Sequence, residues 1–465
     1  MKKILLPLLA ILTIFVSCDD DIDDNLRPAT ALELSDFVYR GLNFWSLYKE
    51  DVPDLANDRF ANDSEKNDFL SQFDSPEAAF DALTSSQDRF SILRDDFIVL
   101  ENALNGVRRS SGMRFSILED PNTPSNLFGV VRYVINNSPA QDAGVQRGMY
   151  FTAVDGSPLT TSSDLSSIFG QDSFTINLAD YDGTTFTPNG TSIPLTQIEL
   201  SIDPVHTVRT LDIDGEKIGY LHYTGFTRDF DPQLNAAFAQ FQAEGVTDLV
   251  LDLRYNGGGS IETANDLSSM ITGQFNGEIF ITQTYNEDRN PENQTDRRFN
   301  TQISNEDAIN SLGLNRVFVL TSGSTASASE LILSGLDPYI DIIQIGTNTT
   351  GKFEGSFLLY DAPAPNFARS QANPNHRYVM LPLVLRSVNA NGLTDYFDGF
   401  TPDIEIAETF ENLGQLGFEG EPLLDIAIEE ITSTRTARNV NTTPDLMHFE
   451  SDQNDPLYQR MMIEN

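Results

Sequence analysis

Cysteine occurs once in this 465-residue chain, tryptophan once and histidine four times. The lone Cys18 excludes an internal disulfide framework. His206, His222, His376 and His448 are scattered, and no His/Cys/Glu cluster has metal-ligand spacing. No zinc site and no cofactor are therefore expected. Basic residues are scarce: 29 Lys and Arg face 69 Asp and Glu, a formal net charge of −40. Such a surface repels phosphates and anionic lipid, which excludes a nucleic-acid-binding role. The acid is spread along most of the chain and reads mainly as a solubility feature. The apolar stretch Ile4–Val16 is too short to span a bilayer comfortably. No tandem repeat is present, and the length suggests about three domains.

What is present begins at the N-terminus. Lys2 and Lys3 precede the apolar stretch, and small Ser17 precedes Cys18. The segment resembles a bacterial lipoprotein signal, which implies that Cys18 is acylated and becomes the mature N-terminus. An ordinary signal peptide cut nearby is the alternative. Multiple acyl chains would tie the protein to a membrane surface. Asp19–Asp24 read DDDIDD, a solvated tether too charged to pack. Acid directly after the cysteine resembles sorting signals of Bacteroidetes-type lipoproteins. The expected location is then the bacterial cell envelope, on the outer membrane, facing either the periplasm or the surface.

The rest divides by pattern. Residues 1–18 read as the signal and 19–30 as the tether. Residues 31–113 read as a helical segment: Leu34, Phe37, Val38, Leu42, Trp45 and Tyr48 recur at helical spacing. Ser75 before Pro76 offers an N-cap, and Phe90, Leu93, Phe97, Leu100 and Leu104 suggest a third amphipathic helix. Nothing in this segment looks chemical, and Trp45 reads as a core anchor. Residues 114–205 carry short Val-, Ile-, Phe- and Thr-rich runs punctuated by Gly, Asn, Asp and Pro, which suits a small β-rich domain. Residues 206–435 alternate strand and helix, the pattern of an α/β layer fold. Residues 436–465 read as a C-terminal tail.

Three segments at strand ends carry the chemistry. DLRYNGGG (Asp252–Gly259) follows a buried strand, and its glycines let backbone N–H groups approach a ligand. No Gly-Lys-Ser/Thr closes it as a P-loop would. TSGSTASASE (Thr321–Glu330) enters a helix; taken alone it is an ordinary Ser/Thr cap. Gly351-Lys352 follows the next strand. Together these resemble the carboxy-terminal processing, or tail-specific, protease family. That family has a DLR-x-N-x-GG loop, a serine inside (T/S)-A-S-A-S-E, and a lysine 25 residues later; here Ser327 and Lys352 stand at that separation.

The resemblance implies an α+β multidomain chain: the N-terminal helical segment, a β-rich PDZ domain and an α/β, ClpP/crotonase-like protease domain. It implies Ser327 as nucleophile, Lys352 as general base, and Gly258 or Gly259 with Ala328 as oxyanion donors. A serine hydroxyl needs a base. A lysine serves only when neutral, so Lys352 is expected to be buried. FGVVRYV and SPAQDAGVQRGMYFTAVDG (Ser138–Gly156) resemble a PDZ domain, with Phe128, Gly129 and Val130 at the peptide-holding loop; a purely structural β module is the alternative.

Two departures stand out. The family commonly has Gln four residues after the lysine, where this chain has Ser356. Glu354 would raise the Lys352 pKa if it faced the amine, and is expected to point away. His222, in Gly219-Tyr220-Leu221-His222, resembles the catalytic histidine strand of tricorn-type relatives and is the alternative base. The expected activity is serine endopeptidase action on protein or peptide substrates, recognised through C-terminal tails. A catalytically degenerate peptide-binding lipoprotein of the same fold, and an esterase using the same nucleophile, are the competing readings. Oligomeric state is not legible.

Overall fold

The N-terminal helices start where the capping chemistry places them. The computed structural model describes residues 27–434, 441–455, 457–458 and 461–463, so Cys18 and the Asp19–Asp24 run lie outside it. Thr30 and Glu33 form a reciprocal capping box at the head of Ala31–Trp45. Ser75 accepts the Ala78 N–H at 3.2 Å, with Pro76 at the first helical position of Pro76–Leu83; such a cap contributes about 1 kcal/mol. The third helix begins only at Phe97. Phe90 precedes a short strand, Ile92–Arg94, which contains Leu93 and pairs with Val379–Leu381. Partners in the distant strand outweigh the local helical spacing there. Phe37, Val38, Leu42 and Trp45 share one apolar core with strands and helices of the α/β region, so this segment is not a separate unit. Trp45 is an anchor as expected: buried, with Nε1 donating to the Pro365 carbonyl at 3.0 Å.

The β-rich unit is a sheet with strand order Met447–Glu450, Met113–Asp120, Thr123–Val134, Tyr150–Val154, Ser173–Tyr181 and Phe186–Thr196. Its core is Phe115, Ile117, Val131, Phe151, Phe169 and their neighbours. Gly129 lies against the Phe151 ring, and a Cβ there would fall 1.9 Å from it.

The α/β region is organised by a six-stranded sheet: Val205–Ile213, Glu216–Tyr223, Asp248–Asp252, Arg316–Thr321, Asp341–Gly346 and Ile404–Glu405. The first pair is antiparallel and the rest are parallel. Near-continuous Val, Ile and Leu in these strands reflect burial on both faces. Leu221, Tyr223, Leu249, Leu251, Val317 and Val319 face the helices Asp231–Glu244, Ile261–Thr272 and Ala328–Leu336. The alternate residues Ile218, Tyr220, Val250, Phe318 and Leu320 face helix Pro422–Thr432. A second sheet has the order Gly258–Ser260, Met461–Ile463, Glu354–Ser356, Leu383–Asn389, Ile279–Tyr285 and Thr295–Arg298. The expected C-terminal tail is thus woven into two sheets. No helix among the described residues is long and apolar enough to cross a membrane.

Candidate active site

Three neighbouring parallel strands end on one edge of the central sheet. Asp248–Asp252 runs into the glycine loop, Arg316–Thr321 into the serine turn, and Asp341–Gly346 into the Thr347–Lys352 loop. The carboxyl edge of a parallel sheet is where loops converge on a ligand. The three sequence segments, up to 100 positions apart, are brought together by this register.

Ser327 is the N-cap of helix Ala328–Leu336 and has φ 63° and ψ −115°. A non-glycine residue there costs about 1–3 kcal/mol and persists only where its surroundings impose it. The imposing group is Glu330, which is fully buried. Its Oε2 accepts the Ser327 N–H and the Lys352 N–H, each at 2.8 Å. Its Oε1 accepts the Gly351 N–H at 2.6 Å and the Thr349 hydroxyl at 2.5 Å. One carboxylate oxygen thus holds the backbones of serine and lysine together, no farther apart than twice 2.8 Å. Burial raises Glu330 above the usual carboxyl range, against the pull of these four donors. Ser327 and Glu330 have the S-x-x-E spacing of a capping box, a sequence signal for the carboxylate on the Ser327 N–H; no spacing announced its second bond, to Lys352.

The serine turn is clamped to the glycine loop. Thr325 donates to the Leu253 carbonyl at 2.8 Å, and the Asn256 carbonyl accepts Ala326 N–H at 3.1 Å and the Ser329 hydroxyl at 3.0 Å. Gly258 and Gly259 have φ 106° and 141°, and a Cβ on Gly259 would meet the Phe226 carbonyl oxygen at 2.2 Å. The Gly258 N–H donates to Asn256 Oδ1 at 2.9 Å, so it is already engaged within its own loop. Ala328 opens the helix and carries one of its orphan N–H donors.

Ser327, Lys352 and Ser356 are all fully buried. The Lys352 amine lies 4.9 Å from the Phe90 ring centroid. Glu354 does not point away into solvent: it is buried, accepts the Tyr48 hydroxyl at 2.5 Å, and interacts electrostatically with Lys352. Asp88 also interacts electrostatically with Lys352. Burial raises both carboxyls, with Lys352 pulling the other way. Glu354 is expected to point away because a carboxylate at the amine would keep the lysine charged, but the strand Glu354–Ser356 is covered on both faces and leaves it no exposed side to turn to. The N-terminal segment, which looked devoid of chemistry, therefore supplies Tyr48, Asp88 and Phe90 to the lysine pocket. Arg89 also donates to the Gly351 carbonyl. These contacts span some 260 positions, and no local pattern announces them.

His222 sits elsewhere. Strand alternation puts it with Tyr220, on the face opposite the helix that Ser327 caps. Its Nδ1 is 3.0 Å from His206 Nδ1, and its ring meets Tyr133 edge-on at 5.2 Å. The Val134 carbonyl, 2.9 Å from His206 Nε2, fixes the His206 proton there, so His222 Nδ1–H is the donor of the pair. Burial, then His206, hold His222 well below the usual histidine range.

Phe128, Gly129 and Val130 cannot receive an added strand. They lie inside Thr123–Val134, which is hydrogen-bonded to Met113–Asp120 on one side and Tyr150–Val154 on the other. The outer edge is Met113–Asp120, and Met447–Glu450 pairs with it antiparallel.

The fold and the three-loop edge define the class. Residues 217–359 match the model of Peptidase family S41, and residues 33–92 match that of the Peptidase S41 N-terminal domain. The carboxy-terminal-processing protease of Bartonella bacilliformis is 27% identical over 301 residues, 57% of this chain and 62% of that protein. The carboxyl-terminal-processing protease of a Synechocystis species is 26% identical over 218 residues, 46% of this chain and 47% of that one. The chain thus spans only about half to three-fifths of these curated relatives. A crystal structure from Bacteroides fragilis assigned to the S41 proteases superposes with a TM-score of 0.70 at 25% identity, covering 86% of this chain and 98% of that one.

Proposed function

We propose that this chain is a serine endopeptidase in which Ser327 is the nucleophile and Lys352 the general base. The observation that carries this reading is the Glu330 carboxylate, one oxygen of which receives both the Ser327 and the Lys352 backbone amides. Full burial of Lys352 beside Phe90 supports an uncharged amine. The two carboxyls that could hold it charged, Asp88 and Glu354, are themselves pushed toward neutrality by burial.

In the reaction, Ser327 Oγ bonds to the substrate carbonyl carbon as its proton passes to Lys352 Nζ. The oxyanion is met by backbone donors: Ala328, with either Gly258, whose N–H is engaged by Asn256 Oδ1, or Gly259, whose N–H faces residues 461–463 in this structure. Lys352 then gives its proton to the leaving amine as the C–N bond breaks, and water releases the acyl group by the reverse sequence. Ser356, fully buried on the strand two residues past Glu354, stands where the family has its lysine-orienting Gln. The substrate is a polypeptide, captured by strand addition to the β-rich unit as in PDZ domains. Anchoring through Cys18 in the outer membrane remains part of the proposal.

The test is digestion of β-casein together with fluorophosphonate labelling. Labelled, active wild-type protein and unlabelled, inactive Ser327→Ala protein are expected. Equal cleavage by Ser327→Ala would reject the reading, and binding without cleavage by wild type would favour the degenerate peptide-binding lipoprotein.

A further inference from the structure

Residues 447–455 and 461–463 lie where a polypeptide substrate would also need to pass. Met447–Glu450 adds antiparallel to the outer edge of the β-rich unit, with Glu450 opposite Ser116. Farther on, Met461–Ile463 lies between the glycine strand and the strand after Lys352: Gly259 pairs with Met462, and Ser260 and Ser356 both pair with Ile463. On its other side the glycine strand is bonded to Phe226, through the Gly258 carbonyl and the Ser260 N–H. Because N–H and C=O directions alternate along a strand, Gly259 turns its own N–H and C=O toward residues 461–463.

Between the two strands the segment is held by charge. Arg132 and Glu450 pair at 2.8 Å, both buried, and Arg114 pairs with Asp452 at 2.8 Å. Arg108 pairs with Asp455. The Ser324 hydroxyl, in the serine turn, donates to Glu450 at 3.0 Å, and the Phe115 N–H donates to the Ser451 hydroxyl at 3.1 Å. These arginines line a cavity of about 120 Å³ whose wall includes Gly257–Ser260. Burial alone would raise Asp452, but Arg114 and Arg132 outweigh it and hold the carboxyl below its usual range.

We propose that residues 447–455 and 461–463 are an intramolecular occupant of the substrate path, and that Arg108, Arg114 and Arg132 form an acid-reading subsite used by substrates that displace it. The subsite suits an extended polypeptide with carboxylates at the spacing of Glu450, Asp452 and Asp455. In a chain with so few basic residues, three arginines converging beside the glycine loop make a local cationic surface. This rests on the peptidase reading only in identifying the slot as a substrate path.

The test uses the full chain. The E450K/D452K/D455K variant is expected to raise kcat/KM on β-casein by about tenfold, the factor by which a mostly occluded path lowers apparent affinity. Met462→Pro, which removes one backbone N–H from the slot, serves as a second variant should the charge reversals misfold, and is expected to act in the same direction. A synthetic peptide of residues 445–463 should restore inhibition of the triple variant, and the same peptide with the three lysines should not. Folded variants with unchanged or lower kcat/KM would overturn the proposal. Fluorescence anisotropy of the labelled peptide on the triple variant carrying Ser327→Ala reads docking without catalysis. Docking in a chain that never cleaves casein would sink the peptidase reading alone. An active enzyme that does not bind the peptide would sink the occupant alone.

Discussion

The chain buries two candidate bases, and their surroundings differ in kind. Around Lys352 the groups come from three parts of the sequence, one of them distant: Glu330 at the backbone, Glu354 two residues on, and Asp88 and Phe90 from the N-terminal segment. Around His222 they are a histidine and aromatic rings on the opposite sheet face: His206, Tyr133 and Tyr255. Both sites are desolvated, which disfavours the charged form of either base. Only the lysine is tied to the serine turn, through a shared carboxylate oxygen. Burial alone therefore does not mark a base; connection to the nucleophile does.

The contrast can be broken most forcefully at the nucleophile. Ser327→Ala should lower hydrolysis by about 10⁴ or more with the far-UV circular dichroism unchanged. Lys352→Met should lower kcat by roughly 10³ while thermal stability is kept, because a buried amine is replaced by an apolar chain of similar length. If Lys352→Met stays active and His222→Gln does not, the assignment of the two sites is reversed. Glu330→Gln keeps the shape but presents an amide N–H where donors converge. It should lower kcat about 10²-fold and cost roughly 2–3 kcal/mol in a denaturant melt.

Subtler changes sharpen the comparison. Removing a carboxyl beside an amine lowers the amine's pKa. Glu354→Gln should therefore move the acid limb of the pH–rate profile to lower pH, by about one unit. An unmoved limb would mean that Glu354 is uncharged throughout. His222→Gln should leave kcat within about threefold, as expected of a residue that does not act on the nucleophile. Its effect belongs to stability. A histidine with a depressed folded-state pKa contributes stability that is present above the unfolded value, about 6.5, and is lost as pH falls below it. Melting temperatures of His222→Gln should accordingly fall less on acidification from pH 7 to pH 5 than those of the wild type.

Local chemistry that repeats within one element was readable in advance. Ser75 and Pro76 mark a helix start, Gly245 ends Asp231–Glu244 at φ 74°, and apolar runs mark the buried parallel strands. Motif order placed Ser327 and Lys352 on successive strand ends, because a parallel sheet collects such ends on one edge. The misreadings all involve partners far away in sequence. Phe90 and Leu93 keep helical spacing, but pairing with residues 379–381 draws Ile92–Arg94 into a strand. Phe128–Val130, expected at a peptide-holding loop, lies between two strands. Glu354, expected to point away from Lys352, accepts the Tyr48 hydroxyl and interacts with that amine.

The sequence by itself determined the strand-and-helix alternation, the glycine loop, the serine turn and the lysine step, since each depends on neighbours a few positions away. Only the tertiary structure decided that Glu330 joins Ser327 to Lys352, that Asp88 and Phe90 stand at the lysine, and that Met447–Glu450 and Met461–Ile463 join two different sheets. The reason is physical: a buried polar group must find a partner wherever the folded chain offers one, and that choice leaves no periodic trace in the residues on either side.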